Sequence, residues 1–180
     1  MTLPTLETER LILRPWTLED ASEFERLITP RAVTDGTLSY PHPVPAGWGK
    51  ERIGTMLERY VAGEHIDFAI CTRATGELIG STGLSIMTRF KRGHLGYWLG
   101  VDFWGQGYAT EAARAIVQYG FETLGLHRIE AGHYPRNPAS GRVLEKIGMR
   151  LERTLRGHLL KGDVFEDTVM YARLVTDGEL

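Results

Sequence analysis

The chain of 180 residues contains one cysteine, Cys71. That excludes an intrachain disulfide and any cysteine-rich metal site, and no metal is expected. Cys71 ends the apolar run Phe68-Ala69-Ile70-Cys71, so it reads as a small buried residue rather than a nucleophile. Long hydrophobic runs are also missing: nothing approaches the roughly 20 apolar residues that span a bilayer, and no membrane partner is expected. The opening MTLPTLETERLILR has no apolar core behind a basic start, so export is not expected and a cytoplasmic location is the default. Charge of one sign is not in excess. With 21 Lys and Arg against 23 Asp and Glu, the formal net charge of -2 argues against a polyanion-binding surface, and nucleic acid is not expected as a partner. Repeats, low-complexity tracts and linkers are absent as well. A composition 42% hydrophobic and 24% charged then fits one domain over residues 1–180.

What is present is an alternation of short strands and helices. Leu11-Ile12-Leu13 reads as a first strand. Thr17 with Asp20 three residues later resembles a capping box, followed by Leu18, Ala21, Phe24, Leu27 and Ile28 at helical spacing. Three prolines in Ser39-Tyr40-Pro41-His42-Pro43-Val44-Pro45 exclude regular structure and predict an exposed loop. Ile53, Met56, Leu57 and Tyr60 stripe a helix over 49–61. Strands follow at 66–71, 78–87 and 94–101. A helix is expected over 107–124, with Gly125 behind it, and a strand over 128–134. The short helix 138–147 has Asn137 as N-cap and Pro138 at its first position. Strands at 150–155 and 164–174 close the chain. This order predicts a mixed α/β (α+β) sheet of about seven strands with helices on both faces.

Trp104-Gly105-Gln106-Gly107-Tyr108-Ala109-Thr110-Glu111-Ala112 joins a strand to the longest helix. Glycines one residue apart permit a tight turn without Cβ atoms in the way of a ligand. The first amides of the helix have no intrahelical partner and carry the positive end of its dipole, which suits a phosphate. No Gly-Lys-Ser/Thr follows, so this is not a P-loop, and the third glycine of a dinucleotide fingerprint is missing. The loop suggests pyrophosphate without naming its carrier.

Four ordered segments supply a carrier. His94-Leu95-Gly96-Tyr97-Trp98-Leu99 with the glycine loop resembles the acetyl-CoA-binding segment of the GNAT acetyltransferases, RimJ/RimL-like branch. Leu6 to Pro15 resembles that branch's opening strand. Asn137 to Met149 resembles its Asn-x-x-Ser helix, and Arg156, Asp167 and Tyr171 to Leu174 resemble its closing strand pair. The resemblance implies a sheet splayed at an acetyl-CoA cleft between the strand ending in Leu99-Gly100-Val101 and the strand 128–134. Leu99 and Val101 would offer main-chain partners to pantetheine. Gly105, Gln106, Gly107, Tyr108, Ala109 and Thr110 would hold the pyrophosphate, and Asn137 and Ser140 would face the sulfur end. It also implies an N-acetyltransferase in which an amine, either a protein N-terminus or a small molecule, attacks the thioester directly in a ternary complex. A homodimer is implied by analogy. Two positions depart from the pattern: Trp104 stands where many members carry Arg or Gln, and His94 where many carry Glu.

Amines are mostly protonated at neutral pH, with a pKa near about 8 for an α-amine and about 10.4 for lysine, so a base is needed. His94, on the cofactor strand, is the leading candidate, with His133 and Glu130 behind it. Ser140 is the candidate acid, ahead of Tyr97. Trp16, Trp48 and Trp98 read as core or pocket lining. Tyr40, His42, Trp48 and the region near His158 are expected to build the acceptor pocket. Loss of the customary Glu leaves a CoA-binding regulatory module without catalysis as the alternative.

Overall fold

The computed structural model describes residues 3–178. One sheet of eight strands organises it, in the order β1-β2-β3-β4-β5-β6-β8-β7. The strands are β1 Leu6–Glu7, β2 Leu11–Pro15, β3 His65–Thr72, β4 Leu78–Met87, β5 Arg92–Leu99, β6 Arg128–His133, β7 Arg150–Lys161 and β8 Val164–Leu174. Every neighbouring pair is antiparallel except β5 and β6. The two-residue β1, too short for a periodic signal, accounts for the eighth strand where about seven are expected.

Alternation along the strands sends side chains to two cores. On one face Leu11, Leu13, Phe68, Ile79, Leu84, Leu95 and Ile129 pack beneath helices α4 (Tyr108–Glu122) and α5 (Pro138–Lys146). Helix α4 contributes Ala112, Ala113, Ile116 and Val117, the three-and-four spacing read from the sequence. On the other face Ala69, Cys71 and Trp98 pack beneath α1 (Ala21–Ile28), α2 (Arg31–Gly36) and α3 (Trp48–Val61), which supply Phe24, Leu27, Ile28, Val33, Ile53 and Met56. Trp16 joins this second core, and Trp48 packs against it.

Several boundaries differ from expectation. Asp20 does accept the Thr17 amide at 2.9 Å, but the turn it caps is a 3-10 turn over Leu18–Asp20 that runs on into α1. Helix α2 follows Pro30 directly, and its six residues carry too short a pattern to detect. The 39–45 segment is irregular as predicted, yet Tyr40 is buried because its ring packs against Phe24, Trp48 and Trp98. Strand β5 stops at Leu99, so Val101 lies outside it in the 3-10 turn Val101–Phe103. Strand β7 runs six residues past 155, through a register irregularity between Leu155 and Leu159. That extension is mostly exposed, so no alternating burial marks it in the sequence.

Candidate active site

The register between β5 and β6 creates the site. Their pairing covers Arg92↔Arg128, Gly93↔Ile129 and His94↔Glu130, then ceases, although β5 continues to Leu99 and β6 to His133. Beyond His94 the strands are therefore split by a gap. Gly96 O accepts from Thr82 Oγ1 at 3.2 Å and Gly100 N donates to Ile79 O at 2.9 Å, both on the β4 side. By alternation the backbone groups of Leu95, Tyr97 and Leu99 face the gap. Expected partners need adjustment here. The Leu99 carbonyl accepts Trp104 Nε1–H at 2.8 Å and the Val101 carbonyl accepts Trp104 N–H at 3.1 Å, which leaves chiefly the amides of Leu99 and Val101. Tyr97, with both backbone groups facing the gap, is an addition that sequence reasoning missed. Trp104 fastens the end of β5 with its indole.

The glycine turn stands at the open end of the gap. Gly105 and Gly107 have φ of 75° and 84°, the left-handed region where a Cβ is disfavoured. Gly107 is the N-cap of α4, and Glu111 is the first residue whose amide closes onto a carbonyl, that of Gly107 at 3.1 Å. The amides of Tyr108, Ala109 and Thr110 therefore have no intrahelical acceptor and sit at the positive end of the helix. Gln106 turns its side chain back onto Asp102 O at 2.9 Å.

An unforeseen brace holds this turn. Arg10 Nη1 donates to Gln106 O at 2.9 Å, Arg10 Nε to Glu111 Oε2 at 2.7 Å, and the Arg10 amide to Glu111 Oε1 at 2.8 Å. Thr8 Oγ1 donates to the same Oε1 at 2.6 Å, and the Arg10 guanidinium lies 4.6 Å from the Tyr108 ring centroid. Burial pushes the Glu111 carboxyl upward, but the Thr8 and Arg10 bonds prevail and hold it below its usual range. The brace also sets the Arg10 guanidinium, paired with Glu111, against the turn. Its partners lie about a hundred positions apart, so neither motif signals the other.

On the far side of the gap Asn137 caps α5, its Oδ1 accepting the Ser140 amide at 3.3 Å. The Tyr97 hydroxyl lies 2.7 Å from Ser140 Oγ and donates to Ser140 O at 3.0 Å, joining β5 to α5. Burial pushes the Tyr97 phenol up to about 12, with its bond to Ser140 pulling the other way.

His94 stands where the pairing stops, opposite Ser85 on β4 and Glu130 on β6. Its ring reaches solvent, but crowding lowers its pKa below the ordinary histidine value. Glu130 opposes that shift, and the charges of Arg92, His158 and His65 add to it. Of the other base candidates Glu130 is engaged by two arginines, whereas His133 keeps Nε2 buried without a hydrogen-bond partner. Glu130 pairs with Arg92 at 2.9 Å and Arg128 at 3.3 Å. His133 points to the α5 side, with Nδ1 2.8 Å from Tyr134 O and Nε2 buried against the backbone of Gly141.

Residues 34–40 are tied to distant segments of the chain. Lys161 Nζ donates to the carbonyls of Thr34 at 2.8 Å, Tyr40 at 3.2 Å and Leu38 at 3.5 Å, and also to that of Thr37. Arg136 bridges Glu166 at 2.6 Å and Asp35 O at 2.9 Å. These bonds stitch residues 34–40 to the β7–β8 hairpin. Two surface hollows lie elsewhere, one of about 360 Å³ beside Lys91 and Leu126 and one of about 180 Å³ beside Trp16 and Asp67. Neither borders the gap. Among the described residues no cluster of His, Cys, Asp and Glu stands ready for a metal ion, and no helix is long and apolar enough to cross a membrane.

Comparison with known proteins agrees with this geometry. Residues 10–150 match the acetyltransferase (GNAT) domain family. N-acetyltransferase p20 of Bacillus licheniformis is 31% identical over 96% of this chain and 97% of its own length. The ribosomal protein uS5-alanine N-acetyltransferase of Escherichia coli is 30% identical over 96% and 91%. The solved structure of RimL, a ribosomal L7/L12 alpha-N-protein acetyltransferase in complex with coenzyme A, superposes with a TM-score of 0.88 over 97% of this chain and 100% of its own, at 20% identity. A strand pair that parts beside a helix of unpartnered amides thus has a family to belong to: this chain is a member of the GNAT acetyltransferases, an enzyme of N-acetyl transfer.

Proposed function

We propose that the β5–β6 gap of this chain takes acetyl-CoA and presents its acetyl group to an α-amine, either a protein N-terminus or a small molecule of similar basicity. The observation that carries the cofactor reading is the gap that ends against the free amides of Tyr108, Ala109 and Thr110. Pyrophosphate rests on the turn from Gly105 to Thr110, and pantetheine lies along the amides of Leu99 and Val101. Asn137 and Ser140 meet it at the sulfur end. The reading includes a single domain over 1–180, a cytoplasmic location and a homodimer.

In the reaction, the amine loses its first proton to solvent and adds to the thioester carbon as the neutral species, His94 takes the second amine proton directly or through water as the N–C bond forms, and the C–S bond breaks with its electron pair on sulfur. An amide facing the gap stabilises the developing oxyanion, an effect worth roughly 3 kcal/mol in a site closed to water. Desolvation holds the His94 ring below its ordinary pKa, which supports an α-amine rather than a lysine as acceptor. A weak base is badly mismatched to lysine, near about 10.4, and less so to an α-amine, near about 8. The names of the uS5-alanine and L7/L12 enzymes support the same preference.

A thiol-release assay with acetyl-CoA tests this across N-terminal peptides, amino acids, polyamines and N-blocked lysine peptides. Release with the α-amines and little with blocked lysine is expected. Release with no amine, in a protein that CoA still stabilises thermally, would instead establish the CoA-binding module without catalysis.

A further inference from the structure

The hydroxyl of Tyr97 lies 2.7 Å from Ser140 Oγ, the group that the acetyl-transfer reading sets at the sulfur end of the gap. Along β5, Gly96 belongs to the face that carries His94, whereas Tyr97 packs with the core beneath α4 and α5. The amine base and the Tyr97–Ser140 pair thus stand on opposite faces of the sheet, with the gap between them. Ser140 is held from two sides, by Asn137 on its amide at 3.3 Å and by Tyr97 on its carbonyl at 3.0 Å.

We infer that Tyr97 is a positioning residue that turns the Ser140 hydroxyl toward the leaving thiolate and supports it there. The inference rests on the acetyl-transfer reading above. A tyrosine hydroxyl has one hydrogen and can also accept. Either hydroxyl can donate across the 2.7 Å between Tyr97 and Ser140 Oγ; while the tyrosine hydrogen lies on Ser140 O, the serine hydrogen can lie on the tyrosine oxygen. As the new N–C bond forms and the C–S bond breaks, negative charge gathers on sulfur. The serine hydrogen rotates to it, and the tyrosine hydrogen rotates onto Ser140 Oγ, which makes the serine a stronger donor.

No proton need leave Tyr97. A thiol of about 8.5 gives a thiolate too weak to deprotonate a phenol pushed up to about 12. The amine's proton leaves through the base on the other face, and the thiolate takes one from water after release.

The test is Tyr97→Phe, assayed with acetyl-CoA and with its selenoester analogue, whose more acidic selenol leaves without help. Turnover with acetyl-CoA should fall about tenfold, the size of one lost hydrogen bond, while turnover with the selenoester changes little. Ser140→Ala should show the same dependence on leaving group, and the double variant should be no worse than Ser140→Ala alone. Calorimetry with CoA establishes that the Phe variant still folds and binds. An equal loss with both donors, no loss with either, or additive losses in the double variant would overturn the inference. If the parent protein moved no acetyl group to any amine, the acetyl-transfer reading would fall first, and this inference with it.

Discussion

The two sides of the gap are built differently. On the cofactor side the turn from Gly105 to Thr110, the amides of the first α4 turn and the loose half of β5 lie within about twenty consecutive residues. Their geometry follows from local rules: positive φ at two glycines, unpartnered amides at a helix start, and alternation along a strand. On the acceptor side the wall comes from residues 34–40, Arg136, Lys161 and Glu166, and its bonds span up to 127 positions. One side is a local shape, the one proposed to take the cofactor. The other, proposed for the acceptor, is assembled from distant segments. Only long-range folding can make it, which is also why its substrate is harder to read.

Substitutions should separate the two sides. The largest effect is expected at the junction. His94→Gln should lower turnover by about 10²-fold, the lower end for loss of a general base. It should also erase an acidic limb that the depressed pKa places below the ordinary histidine range, near about 6.5, since the base works only when neutral. A pH–rate profile unchanged in shape would remove His94 from the chemistry.

Gly107→Asp comes next. A carboxylate set against pyrophosphate should weaken CoA by roughly 30-fold, while the left-handed backbone costs about 1–2 kcal/mol of fold stability. Calorimetry showing parental affinity in a folded variant would displace the pyrophosphate from this turn. Glu111→Gln should weaken CoA by less, about fivefold, because the Arg10 bonds to it survive only in part. Its pH dependence has a definite sign. Glu111 is held below its usual carboxylate value, so the brace is complete above about 4.3 and is lost as pH falls through the lower folded value. CoA titrations from neutral to acid pH read this directly.

The smallest effect is expected on the acceptor side. Lys161→Met should raise the KM for the amine about threefold and leave CoA affinity unchanged, since the lost ammonium releases residues 34–40 and touches nothing near the turn. A drop in CoA affinity of similar size would show that the two sides are not separable.

Legibility followed the same division. Helix α4 was readable because Ala112, Ala113, Ile116 and Val117 recur at helical spacing, and α5 because Asn137 and Pro138 announce its start. The sequence places the end of β5 at Val101, because Leu99, Gly100 and Val101 continue an apolar run, whereas the strand ends where the Trp104 indole takes the Leu99 carbonyl. Tyr40 was expected in an exposed loop because prolines govern the backbone there. Its ring is buried by Phe24 and Trp98, which no local signal connects to it.

Sequence by itself determined the local shapes: the glycine turn, the dipolar start of α4, the capped start of α5 and the alternation that gives each strand two faces. These depend on backbone sterics and neighbours within a few residues, which any segment carries with it. Tertiary structure alone decided where β5 and β6 part, that Arg10 braces Gln106 and Glu111, that Tyr97 meets Ser140, and that Lys161 closes the acceptor wall. Each of these is a contact between groups that become neighbours only when the sheet assembles, and no spacing along the chain encodes that proximity.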